Sequence, residues 1–106
     1  MAATIARLIP GNQGYDLLCR INHTSDTSRK NGIPHVTRVT FKINGSEITR
    51  IDCGPGISSN PQIGVYLEDV DHQDLVEVHW IDSAGNRGHL KATAAELLGS
   101  GFYQRS

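Results

Sequence analysis

The sequence predicts an all-β fold, an immunoglobulin-like antiparallel β-sandwich of about seven strands in a single domain spanning 1–106. Three observations carry the prediction. Short segments that alternate apolar and polar residues recur along the chain, the period-two signature of half-buried strands. Turn chemistry separates them at intervals of about eight to twelve residues. No segment has the 3.6-residue periodicity of an amphipathic helix. A chain of 106 residues buries roughly two-thirds of the surface it exposes when unfolded, enough for a core without a staple.

Thr4 to Ile9 mixes β-branched and apolar residues and stops at Pro10, which suits an edge strand. Gly11-Asn12-Gln13-Gly14 is a turn. Tyr15, Leu17, Cys19 and Ile21 then alternate with Asp16, Leu18, Arg20 and Asn22, a second strand. His23 to Gly32 contains no apolar side chain and reads as a surface loop; loops of this length tend to carry function. After Ile33-Pro34, Val39, Phe41 and Ile43 share one face. Asn44-Gly45 follows, the strongest short-range signal for a type I′ hairpin, and Ile48 and Ile51 lie on the return strand.

Asp52 to Pro61 is almost entirely turn chemistry, with Gly54-Pro55-Gly56 and Asn60-Pro61 within it, so the strands on either side must change direction here. Ile63, Val65 and Leu67 form the next apolar face, and Asp69 to Asp74 is an acidic, polar turn. Val76, Val78 and Trp80 face inward, opposite Glu77, His79 and Ile81, and Asp82-Ser83-Ala84-Gly85-Asn86 closes a hairpin into 87–93. Ala94 to Ser106 predicts one helical turn and then a mobile tail from about residue 96.

Charge and composition narrow the function classes. Ten basic and eleven acidic residues, net −1, are spread along the chain, which leaves no footprint for nucleic acid and no polybasic membrane patch. No stretch approaches membrane-span length, and the N-terminus lacks the charged segment and apolar run of a secretory signal. Taken alone, that points to the cytoplasm. Cys19 and Cys53 allow one disulfide or two buried thiols, and the sequence does not choose.

Five histidines raise the alternative of a small metal-binding redox protein on an immunoglobulin-like sandwich, of cupredoxin or superoxide reductase type. A blue-copper site wants two His, a Cys and usually an axial Met; Met1 is the one methionine and no cysteine follows Cys53. The cysteines also lack the Cys-Asn-x-His setting of the iron site. His23, His35, His72 and His89 fall in or beside loops and strand ends, where hydrated imidazoles are the ordinary outcome. Asp69, Asp71 and Asp74 lack the glycine and terminal Glu of an EF-hand loop. Cys53, next to Gly54-Pro55-Gly56, has no base and no helix start to activate it, and Ser58 and Ser59 sit in no G-x-S-x-G elbow. The residues predict neither metal nor cofactor nor an active site.

One combination is more specific. Val39-x-Phe41-x-x-Asn44-Gly45, then Asp52-x-Gly54-Pro55-Gly56-Ile57-Ser58-x-Asn60-Pro61, then Val76-x-Val78-x-Trp80-x-Asp82-x-x-Gly85 resembles the SoxZ family in residues, order and spacing. Ile21-x-His23 and Ile33-Pro34 extend the resemblance over roughly residues 15–93. It implies a non-catalytic subunit that forms a heterodimer with SoxY, whose C-terminal Gly-Gly-Cys-Gly-Gly arm holds the sulfur intermediates of thiosulfate oxidation as a covalent adduct. This chain, ending Gly101-Phe102-Tyr103-Gln104-Arg105-Ser106, is not expected to be the arm itself. In that family the complex works in the periplasm and the Z subunit is exported with its signal-bearing partner, so the resemblance moves the expected location to the periplasm. His23, Arg29, Lys30, Ile57 and Asn60, in the two long loops, are the expected docking contacts for the partner and for the Sox enzymes that load and unload the arm.

Overall fold

In the computed structural model, which describes residues 3–22, 35–54, 61–99 and 103–105, every alternating segment is a strand. They are β1 (Ala3–Pro10), β2 (Gly14–Asn22), β3 (Val36–Ile43), β4 (Ser46–Asp52), β5 (Gln62–Glu68), β6 (Leu75–Asp82) and β7 (Arg87–Thr93). These are the seven that the patterning predicts. An eighth, β8 (Tyr103–Arg105), pairs with β1; three residues are too few to show a period.

The strands form two sheets, β5-β2-β1-β8 and β4-β3-β6-β7, with every pairing antiparallel. In immunoglobulin lettering this is A-B-E against C′-C-F-G, the Greek-key sandwich expected. The chain changes sheet after β2, β4, β5 and β7, so each sheet supplies half of the core and neither is stable without the other.

Burial follows the pleat. Along β6, Val76, Val78, Trp80 and Asp82 are buried while Leu75, Glu77, His79 and Ile81 are half-buried on the other face. Leu17, Ile21, Val39, Phe41, Val78 and Leu90 are fully excluded from water. Trp80, 5% exposed, bridges the sheets: its indole N–H donates to the Thr4 hydroxyl at 2.9 Å, from β6 across to β1. Directly opposite it in the ladder is Gly88. A Cβ at that position would collide with the indole ring, so the tryptophan is seated over a residue that must be glycine.

Each turn shows the chemistry its sequence predicts. Asn44 and Gly45 have φ of 51° and 85°, the two left-handed residues of a type I′ turn. The Asn44 side chain accepts from the Leu75 amide at 2.9 Å and donates to Asp74 at 3.0 Å, pinning this hairpin to the start of β6. Asp74 also accepts from the Asp71 amide at 2.9 Å; that bond first, and the Asn44 amide second, hold its carboxyl below the usual range. The acidic turn is thus a local staple.

At the β6–β7 hairpin, buried Asp82 accepts from the amides of Ala84 and Asn86 at 2.9 and 2.8 Å and from the Asn86 side chain at 3.0 Å, while Gly85 adopts φ of 89°. The Trp-x-Asp-x-x-Gly spacing therefore encodes a core residue, a turn staple and a left-handed glycine.

Alternation is interrupted in the β3–β6 ladder, where the register shifts between Val36 and Arg38, and again in the β3–β4 ladder. Ile48 and Ile51 cannot share a face, and the ladder resolves this with a bulge: Phe41 pairs with Thr49 but Lys42 with Glu47, leaving Ile48 as the extra residue. The predicted helical turn is α1 (Ala94–Leu97), started by a capping box in which Thr93 accepts from the Glu96 amide and Glu96 from the Thr93 amide. Its Ala94 and Leu97 are buried in the core.

Candidate functional site

The residues expected from the sequence to dock a partner, His23, Arg29, Lys30, Ile57 and Asn60, lie outside the described residues. The positions that bracket them do not. The Ile21 amide donates to the Pro61 carbonyl at 3.0 Å, tying the start of one loop to the end of the other. The Cys53 amide donates to Thr37 at 2.8 Å, and Ser83 donates through its amide to the His35 carbonyl at 2.9 Å. All four loop ends, with the stapled 83–86 turn, therefore meet at one end of the sandwich. This matches the way recognition loops cluster in immunoglobulin domains.

The outer face of the β4-β3-β6-β7 sheet carries five of the chain's ten lysines and arginines and three carboxylates. Ladder register arranges them in three cross-strand rows: Asp52, Arg38, Ile81, Arg87; then Arg50, Thr40, His79, His89; then Glu47, Lys42, Glu77, Lys91. The third row alternates in sign, as favourable cross-strand neighbours do. His79 Nε2 donates to Glu77 at 3.0 Å; that bond first, and the nearby charges of His79, Lys91 and Lys42 after it, hold the Glu77 carboxyl below its usual range. In the second row the His79 and His89 rings stack at 5.7 Å, 17° from parallel. A concavity of about 380 Å³ lies over the first two rows, lined by Arg38, Thr40, His79, Ile81, Arg87 and His89.

The edge where β4 and β5 end their sheets is different in kind. A groove of about 440 Å³ runs between them, lined by Ile43, Ile48, Thr49, Val65 and Tyr66 among others. Ile48 and Tyr66 are the large apolar side chains most exposed among the described residues, at 44% and 49%. The bulge places Ile48 here, and the alternation of β5 turns Tyr66 away from the core.

Neither thiol is activated. Cys19 is buried within β2, and burial pushes its pKa up to about 12. Cys53 is half-buried; desolvation first and the Asp52 carboxylate second raise it as well. The two are not bonded to each other. Cys19 in the native protein at pH 8 is therefore expected to resist a charged disulfide reagent, with Cys53 reacting more slowly than a free thiol and both reacting at once in denaturant. Rapid native labelling of Cys19 would contradict this placement. Among the described residues no three His, Cys, Asp or Glu side chains gather as metal ligands.

Sequence reading did not bring Arg38, His79, Arg87 and His89 together. The His79–His89 pair was within reach, because a hairpin closing over 82–86 places 79 opposite 89. Arg38 joins them only through the β3–β6 pairing, which spans two other strands in sequence. His89, expected beside a strand end, stands within β7 and remains exposed.

Residues 21–93 match the family model described as sulphur oxidation protein SoxZ. The match runs from the last inward residue of β2 to the last residue of β7, through both strand-pinning turns and the Trp80-Asp82-Gly85 corner. No curated protein matches the chain.

Proposed function

The chain belongs to the SoxZ family of sulphur oxidation proteins, and from that premise we propose that it is the non-catalytic subunit of a two-chain sulfur carrier. It holds a SoxY-type partner whose C-terminal cysteine bears the intermediates of thiosulfate oxidation, and it does so in the periplasm after export together with that partner. The observation that carries this reading is the family match across 21–93. The chemistry of the thiols supports it. Cys19 lies inside a strand and Cys53 directly follows one, both with raised pKa, so neither has the mobility or the thiolate character that a covalent sulfur carrier needs.

A stable heterodimer draws its affinity from a desolvated apolar centre within a polar rim. The β4/β5 groove, with Ile48 and Tyr66 exposed at its sides, supplies such a centre, and we assign the SoxY-type subunit to it. The loops that hold His23, Arg29, Lys30, Ile57 and Asn60 then contact the enzymes that act on the arm. The tethering of their ends at one pole favours this division, because it separates loop contacts from the β4/β5 edge.

Co-expression with a small protein ending in Gly-Gly-Cys-Gly-Gly tests the proposal. A one-to-one complex is expected on purification, and failure of the two chains to associate at micromolar concentration would remove it. Within an intact complex, substituting Arg29, Lys30 and Asn60 together is expected to lower turnover of the reconstituted system without dissociating the partner; unaltered turnover would move the enzyme contacts elsewhere.

A further inference from the structure

The outer face of the β4-β3-β6-β7 sheet treats like charges in two ways. In the row Lys42-Glu77-Lys91, the middle strand places a carboxylate between two ammonium groups. In the row Arg38-Ile81-Arg87, the same middle strand places an isoleucine between two guanidinium groups. The two rows have the same geometry: in the first the middle strand sets a carboxylate beside both cations, whereas in the second the one carboxylate, Asp52 on β4, pairs with Arg38 and the cross-strand neighbour of Arg87 is uncharged.

This second row is also where the surface is concave. Among the described residues no carboxylate lines the 380 Å³ concavity; Arg38, Arg87 and Thr40 supply donors, and the His79 and His89 rings complete the wall around an Ile81 floor. Arg38 reaches Asp52 at 2.9 Å through Nε, and Asp52 stands on β4, on the far side of Arg38 from the concavity. Its two Nη groups donate to no acceptor among the described residues. Arg87 makes no ion pair among them either. Two strand spacings set the Arg38 and Arg87 backbones about 10 Å apart, a gap that two arginine side chains close around a ligand of a few ångströms. Half of the chain's ten lysines and arginines stand on this one face, against three carboxylates, in a protein of net charge −1. A planar fork with several parallel N–H donors suits oxygen atoms that share one negative charge.

We propose that this concavity is a binding site for a small tetrahedral oxyanion, gripped by Arg38 and Arg87 from the sides and by the Thr40 hydroxyl from one end, beside the His79 and His89 rings. Such a group has two sources: a free inorganic anion of the sulfate or thiosulfate kind, or the sulfonate on an oxidised sulfur adduct of a partner's cysteine. The second source rests on the sulfur-carrier reading above; the site itself does not. Bound there, a sulfonate would be held against the Z-type chain and its charge neutralised without any covalent bond to it.

The test is a titration of the full chain, alone and complexed with its Gly-Gly-Cys-Gly-Gly-ended partner, followed by backbone and imidazole NMR at constant ionic strength. The probes are sodium sulfate, sodium thiosulfate and a Gly-Gly-Cys-Gly-Gly peptide whose cysteine is S-sulfonated, with sodium chloride and the unmodified peptide as controls. Saturable shifts are expected at 79–81 and 87–89 with the oxyanions and not with the controls. Arg87→Ala and Arg38→Ala should each weaken binding about tenfold, and Lys91→Ala, one row beyond the site, should leave it unchanged. If the sulfonated peptide displaces sulfate, the adduct is the occupant; if inorganic anions alone bind, the free anion is. Shifts that do not saturate, or that survive in the Arg38→Ala/Arg87→Ala double variant, overturn the site, as would acidic peptides binding there as tightly as the oxyanions. Loss of oxyanion binding in an intact heterodimer removes this inference alone, whereas sulfate binding by a chain that forms no heterodimer removes the carrier reading alone.

Discussion

Trp80→Ala is expected to lower the free energy of unfolding by about 3–5 kcal/mol, a large part of the ~5–15 kcal/mol that holds a domain of this size together. The reason lies in position more than in size. Trp80 is 5% exposed, seated over Gly88 within its own sheet and bonded to Thr4 in the other. Truncation removes the largest side chain from the interface between the two halves of the core and leaves a cavity that the facing sheets cannot close without moving as units.

Gly88→Ala approaches the same contact from the other side. The new methyl would overlap the nearest atom of the indole, and over-packing of this kind costs about 1–3 kcal/mol. Equilibrium urea unfolding followed by circular dichroism measures both, since loss of Trp80 also removes the one tryptophan fluorophore. A midpoint for Gly88→Ala equal to that of the unaltered protein would show that the ring does not rest where it is placed. Thr4→Val isolates the hydrogen bond, with an expected cost of about 1 kcal/mol.

Ile48→Asp and Tyr66→Asp are expected to weaken association with the proposed SoxY-type partner by about thirtyfold or more, or ~2 kcal/mol, with little change in thermal midpoint. Both side chains are already half in water, so a carboxylate there costs the isolated chain little. Buried under a partner it would be an unpaired charge in an apolar contact, which is costly. Isothermal titration of each variant with the partner, next to its melting curve, separates the two effects. Full affinity with an intact fold would place the heterodimer interface away from the β4/β5 edge. The bulge at Ile48 gives this edge a second property: it breaks the regular ladder at the rim of the sheet, which discourages pairing with a second copy through backbone hydrogen bonds. Side-chain contact then has less competition from edge-to-edge aggregation.

How much of this was legible beforehand depends on sequence separation. The Asn44-Gly45 hairpin, the inward face of Val76, Val78 and Trp80, and the 82–86 turn are local patterns, and each is found as read. Thr93-x-x-Glu96 is an equally local helix-start signal; it predicts α1 more sharply than the composition of the tail does. The roles of Asn44 and Asp74 were not legible, because their bond joins positions thirty residues apart. For the candidate sites the division is the same. The raised pKa of Cys19 follows from its inward position in an alternating strand, whereas the grouping of Arg38 with Arg87 and the exposure of Ile48 depend on register.

The sequence by itself determined seven of the eight described strands, which face of each of those is apolar, where the chain turns between them, and the family to which those turns belong. These follow from steric and solvation preferences that act over a few residues. Only the tertiary structure decided which strands are neighbours, and therefore which charges share a row. Pairing between β3 and β6 is chosen by burial of the whole core, and a shift of one residue would turn Arg38, Thr40 and Lys42 to the inside. The row that sets Arg38 and Arg87 on either side of Ile81 and the apolar β4/β5 edge are consequences of that global choice, and no local stretch of the chain encodes either one.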